Sequence, residues 1–226
     1  FEKYEVPSSF LVNFWENLGI VLFGAALWLL FKRIELIVLP KKRSKIATLT
    51  RKGRVMLQNF VLSALYGVYG DLILYAVIEY RSFTFGWNLA LLSFIISIIF
   101  IMIMLFTFFY QIKFLLFYQK IKTSSQKNNP MKPLEKFKKN HEGNQLFFKD
   151  FKDYSYSPQL FPFFLTVRDI FFSLILATMF EYPLAQTLLI IIFDVLMVVY
   201  LFVKRPFENT FDFIQQLFFE FVGLVV

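Results

Sequence analysis

The sequence predicts an all-α protein, a polytopic transmembrane helix bundle of about six spans whose N-terminus is extracellular or lumenal. Three observations predict this class. Hydrophobic residues make up 58% of the 226 residues and charged residues only 18%, and the mean hydropathy is +0.58. Long apolar stretches recur along the chain, and the segments between them are alternately rich and poor in Lys and Arg. So much apolar surface does not fit a soluble domain.

The stretch 184–207 is the clearest of the predicted spans. It is apolar except for Asp194 near its middle, and it ends in the basic residues Lys204 and Arg205. About 20 apolar residues cross the hydrocarbon core as a helix, and a basic end favours the cytoplasmic face. We therefore expect residues 184–203 to be a membrane span.

Taken in order, the apolar stretches predict six spans within a single transmembrane domain, residues 1–226. Their approximate bounds are 11–39, 55–80, 87–118, 160–182, 184–203 and 211–226. Pro40 ends the first span. The second contains Ser63 and Gly67, a pair of small residues that predicts close approach of another helix. The third is longer than a bilayer needs, so we expect its last turns to leave the membrane.

The number of Lys and Arg residues in each connection predicts the orientation. The connections after spans one, three and five hold seven, nine and two, whereas those after spans two and four hold one and none. Cytoplasmic loops collect basic residues, so residue 1 is expected outside and the basic loops 40–54 and 119–158 in the cytoplasm. We also expect a piece of a longer protein, because Phe1 is not an initiator and Val226 lies inside an apolar run.

The basic loop 40–54 predicts contact with lipid headgroups. Its basic residues, which no acid accompanies, are Lys41, Lys42, Arg43, Lys45, Arg51, Lys52 and Arg54. Each contributes roughly 1 kcal/mol of attraction to an anionic leaflet. The bilayer and its anionic lipids are the expected partners, although the general bias of basic residues toward the cytoplasm explains the same pattern. The net charge of +8 has this origin too, so nucleic acid is not expected as a partner.

The second basic loop, 119–158, is rich in Lys, Asn and Ser and contains Pro130 and Pro133. Such a composition predicts a mostly irregular segment, with at most one short amphipathic turn over residues 134–139.

Ionisable residues inside the spans are the candidate functional residues. A charge at the bilayer centre costs about 2.5 to 3.5 kcal/mol, so it normally faces a partner or a wet cavity. Arg168 and Asp194 lie at similar depth in consecutive antiparallel spans, which predicts a buried charge pair between them. Asp71 lies nearer the outer face, where it either joins this pair or lines an outward cavity with Glu79 and Glu181. Asp71, Asp194 and Glu181 form a candidate cation or proton path. The alternative is a charge pair that only holds the helices in register.

Catalytic residues are not expected. The sequence contains no HExxH motif, no phosphate-binding loop and no paired His that could hold haem, because His141 is the single histidine. Cysteine is absent, which excludes thiolate ligands. We therefore expect neither an enzyme nor a metal or other cofactor.

Several short motifs resemble a known family. These are Ser-Ser-Phe-Leu-x-Asn at residues 8–13, Arg168, the turn with Pro183 and Gln186, Arg205-Pro206-Phe207, and Glu220 in the last segment. Together they look like the carboxy-terminal membrane region of the large ciliate surface proteins, which is similar to the fungal transient-receptor-potential-like family. The resemblance implies a large, often cysteine-rich extracellular domain upstream, further spans downstream, and a channel-like or receptor-like role in the plasma or ciliary membrane.

Two functions of different classes fit these observations. In the first, the chain is the membrane domain of a channel-like or receptor-like surface protein and couples an upstream ectodomain to ion flux or signalling. In the second, it is a non-transporting anchor or an accessory subunit, whose partners are other subunits or its own ectodomain. Six spans exceed what an anchor needs, whereas no acidic or Gly-rich re-entrant loop lies between the spans. The sequence keeps both functions open.

Overall fold

The computed structural model of the chain describes residues 9–38, 45–82, 89–127, 131–152 and 156–225. This part of the chain is all-α, as the sequence predicts, with short 3-10 turns at Glu142–Phe147 and Ser157–Leu160 and one isolated antiparallel bridge between Phe151 and Phe207. The helices are α1 (Phe10–Val38), α2 (Lys45–Gly67), α3 (Tyr69–Ser82), α4 (Leu89–Lys127), α5 (Met131–Asn140), α6 (Phe161–Thr178), α7 (Pro183–Lys204) and α8 (Thr210–Val225).

Three helical segments of the described chain are long and apolar enough to cross a membrane: Leu89–Thr123, Ser157–Thr178 and Pro183–Lys204. A fourth joins them if α2 and α3 together form one broken span. Within the most apolar part of Pro183–Lys204, only 17% of the residues are buried in protein, so the rest present apolar side chains outward. Exposed apolar surface of this extent is typical of a protein embedded in lipid.

The described residues form two compact units. The first unit consists of the described residues of 1–14, 69–116 and 147–226, and the second consists of those of 15–68 and 117–146. Each unit brings together segments that are far apart in sequence. Each is considered by itself below.

In the first unit, α6 packs along α3, and α7 packs against both α6 and α8. A buried apolar cluster of Phe151, Phe161, Met197 and Leu201 lies at one end of these helices. Nearby, Arg205 takes a left-handed conformation with φ 40° and ends α7, since its N–H bonds the carbonyl of Leu201 at 2.9 Å. This cap turns the chain back so that α8 can lie beside α7.

In the second unit, α1 and α2 approach closely at Gly24. A Cβ added there would lie 3.1 Å from Val61 and 3.2 Å from the ring of Phe60. The ion pair between Arg54 and Glu35 also joins these two helices. The pairing of a glycine with bulky neighbours lets the helix axes come close.

The structure corrects the two predicted basic loops. In the loop predicted at 40–54, residues 45–54 are the first turns of α2, whereas residues 40–44 lie outside the described residues. In the loop predicted at 119–158, helix α4 continues to Lys127, and α5 forms a full helix that buries Phe137. Lys, Arg, Leu and Ala all favour helices, so a high density of basic residues does not by itself break one.

The close helix contact predicted at Ser63 and Gly67 is not made among the described residues. Both residues are exposed, and a Cβ added at Gly67 would meet nothing within 4 Å. Four residues apart, the two share one face of α2, and this face is not covered in the second unit. The close helix contact of that unit is at Gly24 instead.

Candidate functional site

Helices α6, α7 and α8 of the first unit bring four charged side chains together. Helix α6 begins with Pro162 in its first turn, where the missing N–H does no harm, and it carries Arg168 and Asp169 two turns later. Helix α7 contributes Asp194, and α8 contributes Glu220. We call these four residues the charge cluster.

Arg168 forms ion pairs with two of the three carboxylates. Its Nη1 donates to both carboxylate oxygens of Glu220. Its Nε and Nη2 donate to Oδ1 of Asp169 at 3.2 and 3.0 Å. The side chain of Glu220 is only 1% exposed, and its Oε1 accepts a further hydrogen bond from Nε2 of Gln216 at 2.6 Å. Both oxygens of this buried carboxylate therefore accept hydrogen bonds, which offset the cost of burying its charge.

Asp194 differs from the other acids of the cluster. It is only 4% exposed, yet no described residue donates a hydrogen bond to it or forms an ion pair with it. Arg168, Glu220 and Asp169 are its electrostatic neighbours. Its Oδ2 lies 3.3 Å from the position that a Cβ of Gly223 would occupy, so α8 passes close to it. Burial of a carboxylate without a donor costs free energy unless another partner offsets its charge.

The predicted direct pair between Arg168 and Asp194 is corrected by this arrangement. Both residues belong to one cluster, but the guanidinium binds Glu220 and Asp169 instead. The prediction considered only the neighbouring spans four and five. It did not include α8, which places Glu220 within reach of Arg168.

The predicted path through Asp71, Asp194 and Glu181 is not assembled in the structure. Asp71 and Glu181 are both exposed, and neither is among the electrostatic neighbours of Asp194. Another acid, Glu79, is buried and accepts hydrogen bonds from the backbone N–H of Phe10 at 2.6 Å and from Oγ of Ser93 at 3.1 Å. Glu79 therefore caps the N-terminus of α1.

A cavity of about 260 Å³ adjoins the charge cluster between α6 and α7. Its lining is apolar except for Arg168 and the tyrosine, and consists of Phe164, Val167, Arg168, Phe193, Leu196, Met197 and Tyr200. Within the described part of the chain, no three acidic, His or Cys side chains come together in a way that could hold a metal ion. The cluster sets three carboxyl groups against one guanidinium, so its acidic groups outnumber its single cation.

The predicted headgroup residues divide into four sets. Arg51 and Lys52 are exposed on α2, and Arg54 is engaged with Glu35. Lys45 begins α2. The remaining three lie outside the described residues: Lys41, Lys42 and Arg43.

The roles of Glu220, Gln216 and Asp169 in this site were not predicted. One signal in the sequence was available, because Glu220 is the only acid between residues 213 and 226 and Gln216 precedes it by four residues, the spacing at which helical side chains meet. That spacing indicates a buried, supported carboxylate. It does not indicate which helix supplies the cation.

Comparison of the chain with protein-family models, with curated proteins and with solved structures finds no match. The fold and the exposed apolar helices define a membrane-embedded all-α protein. The resemblance to ciliate surface proteins stays a prediction.

Proposed function

We propose that the chain is the membrane domain of a channel-like or receptor-like surface protein, and that the charge cluster is the element through which it responds or conducts. The observation that carries this proposal is Asp194, a carboxylate that is 4% exposed and has no hydrogen-bond donor among the described residues. An intramembrane acid without a hydrogen-bond donor is a functional candidate, because burial of its charge costs free energy. A passing cation or a proton would offset that cost.

The proposal includes six spans, an extracellular N-terminus and a location in the plasma or ciliary membrane. Helix α1, with 29 residues, exceeds the length that a bilayer requires. Helix α8 has 16 residues and extends about 24 Å, so it would need local thinning or further residues to cross. The alternation of basic residues among the connections supports the orientation.

Cation flux into liposomes that carry the full-length protein tests the proposal. We expect Asp194→Asn to abolish a flux that the wild type shows, because the amide cannot neutralise a cation. Asp150→Asn is the matched control, since Asp150 is exposed and lies outside the charge cluster. Asp71→Asn tests whether the path extends beyond the charge cluster. If the path is confined to the cluster, the flux of this variant equals that of the wild type.

A non-transporting anchor or accessory subunit is the second candidate function. The hydrogen bonds that Glu220 accepts from Arg168 and Gln216 favour this second function. They are what a purely structural contact between α6 and α8 would require. Absence of flux from the correctly folded wild type would favour this function. Flux that Asp194→Asn and Asp150→Asn reduce equally would remove Asp194 from any conduction path.

A further inference from the structure

The second unit contains a polar groove between the first turns of α2 and residues 139–145. Two adjoining cavities of about 570 and 200 Å³ form it, and both are lined by Arg51, Val55, Lys139 and Glu142. The larger cavity falls within the range of small-molecule sites, about 300 to 1,000 Å³. Besides Glu142, the polar lining includes Thr48, Arg51, Lys52, Asn59, Lys139 and Gln145.

The groove carries more positive than negative charge. Three exposed cations, Arg51, Lys52 and Lys139, line it together with the single carboxylate of Glu142. Arg51 lies 3.5 Å from this carboxylate, with the two side chains 52% and 38% exposed. So long and solvated a contact contributes little and exchanges readily. Among the described residues, Lys52 and Lys139 have no ion-pair partner, so all three cations can turn to a ligand.

Neutral hydrogen bonds hold the two walls of the groove together. Asn59 donates from Nδ2 to the carbonyl of Glu142 at 2.9 Å, and its Oδ1 accepts from the N–H of Gln145 at 2.9 Å. Gln58 donates to Oδ1 of Asn144 at 3.2 Å. Because these bonds hold the two walls together, Lys139 lines the same cavity as Arg51 and Lys52 although the three positive charges repel one another. An anion bound between them would remove that repulsion.

We propose that this groove binds a ligand that carries more than one phosphate group, of the size and charge of a polyphosphorylated inositol. Arg51 can hold a phosphate with two parallel hydrogen bonds, and the lysines can supply point charges to others. Thr48 and Gln145 offer neutral partners for ring hydroxyls. A lipid headgroup and a soluble inositol phosphate share this chemistry. The inference does not depend on the proposed function, because its test measures binding and not flux.

The test measures binding of inositol 1,4,5-trisphosphate to the full chain in nanodiscs of neutral lipid. The groove variant combines Arg51→Gln, Lys52→Gln and Lys139→Gln. A control variant removes the same charge from exposed positions that do not line the groove: Lys120→Gln, Lys136→Gln and Lys149→Gln. We expect the groove variant to bind more than about tenfold more weakly and the control less than about twofold, because the contacts are local and charge-assisted.

A second arm identifies the source of the ligand. If the ligand is a membrane lipid, nanodiscs that contain phosphatidylinositol 4,5-bisphosphate block binding of the soluble probe, whereas discs of equal charge made with phosphatidylserine do not. If the ligand is soluble, neither lipid blocks it. Both results support the proposal.

Equal loss of binding in the groove and control variants would overturn the proposal, as would absence of binding to the wild type. The single variant Lys139→Gln guards against misfolding of the triple variant, because Lys139 is exposed and its replacement leaves the hydrogen bonds of Asn59 in place. Undiminished binding by this folded variant would also contradict the proposed site.

Discussion

Arg168 is the residue on which the buried charge of the first unit depends. Its two ion pairs are not equivalent, because the side chain of Glu220 is 1% exposed and that of Asp169 is 41% exposed. If the guanidinium is removed, Asp169 still has part of its surface outside the protein, whereas Glu220 stays enclosed. Loss of one partner of a buried pair is costly mainly because the other is left uncompensated. Loss of Arg168 should therefore destabilise the protein more than loss of Glu220.

We expect Arg168→Gln to lower the free energy of unfolding by about 3 to 5 kcal/mol. Glu220→Gln should cost less, because Arg168 keeps its contact with Asp169. The double variant should recover much of the loss, because no buried charge then lacks a partner. Unfolding of the purified chain in mixed detergent micelles, followed by circular dichroism, measures all three variants.

Two controls accompany this cycle of variants. Lys149→Gln removes an exposed charge and should change stability by less than about 0.5 kcal/mol. Asp194→Asn removes no hydrogen bond of the described structure, so it should be tolerated or should stabilise. A coupling energy near zero between positions 168 and 220, with a large one between 168 and 194, would contradict the observed pairing and restore the predicted one.

The sequence identified Arg168 and Asp194 as buried charges because a polar residue stands out against an apolar background. It did not identify their partners. Depth along a span can be counted from the sequence, but the rotation of each helix about its axis depends on packing, which hydropathy does not encode. Glu220 was visible as an acid in an apolar segment, yet only the structure shows that it faces Arg168.

Among the elements, helices were predicted well and connections poorly. Apolar stretches in lipid must satisfy their backbone internally, so an all-α fold follows from hydropathy alone. The polar segments have no such constraint. The helices at residues 45–54 and 131–140 form because their residues favour helix and, in α5, because Phe137 becomes buried. Their basic residues and prolines had instead predicted irregular structure.

Helix packing in the second unit supplies a prediction at this scale. Gly24→Leu should destabilise the protein by about 1 to 3 kcal/mol, because the new side chain must displace Val61 or Phe60. Gly19→Leu is the control on the same helix, since a Cβ at Gly19 would meet nothing within 4 Å. Unfolding in mixed micelles compares the two variants. Leu has a higher helix propensity than Gly, so the control should be neutral or stabilising. Equal destabilisation by both variants would show that the contact between α1 and α2 does not explain the effect.

For the whole molecule, three segments, or four if α2 and α3 form one broken span, are long and apolar enough to cross a membrane. Insertion into lipid is therefore the main constraint on its fold. Hydropathy and the distribution of basic residues predicted this class and an orientation. They could not predict the division into two units, because that division depends on which distant segments pack together, such as α3 on α6. The orientation depends on charge alone and can be tested by itself.

The absence of cysteine makes that test direct, because a single introduced Cys is the only thiol of the expressed chain. Lys149 and Glu181 are both exposed, and the distribution of basic residues predicts that they lie on opposite sides of the membrane. In intact cells, a membrane-impermeant maleimide should label Glu181→Cys and spare Lys149→Cys. Permeabilisation should then expose the second site. The reverse pattern would show that the orientation is inverted, with the basic groove of α2 outside. Labelling of both residues in intact cells would show that they lie on the same side of the membrane, so that the segment between them does not cross it an odd number of times.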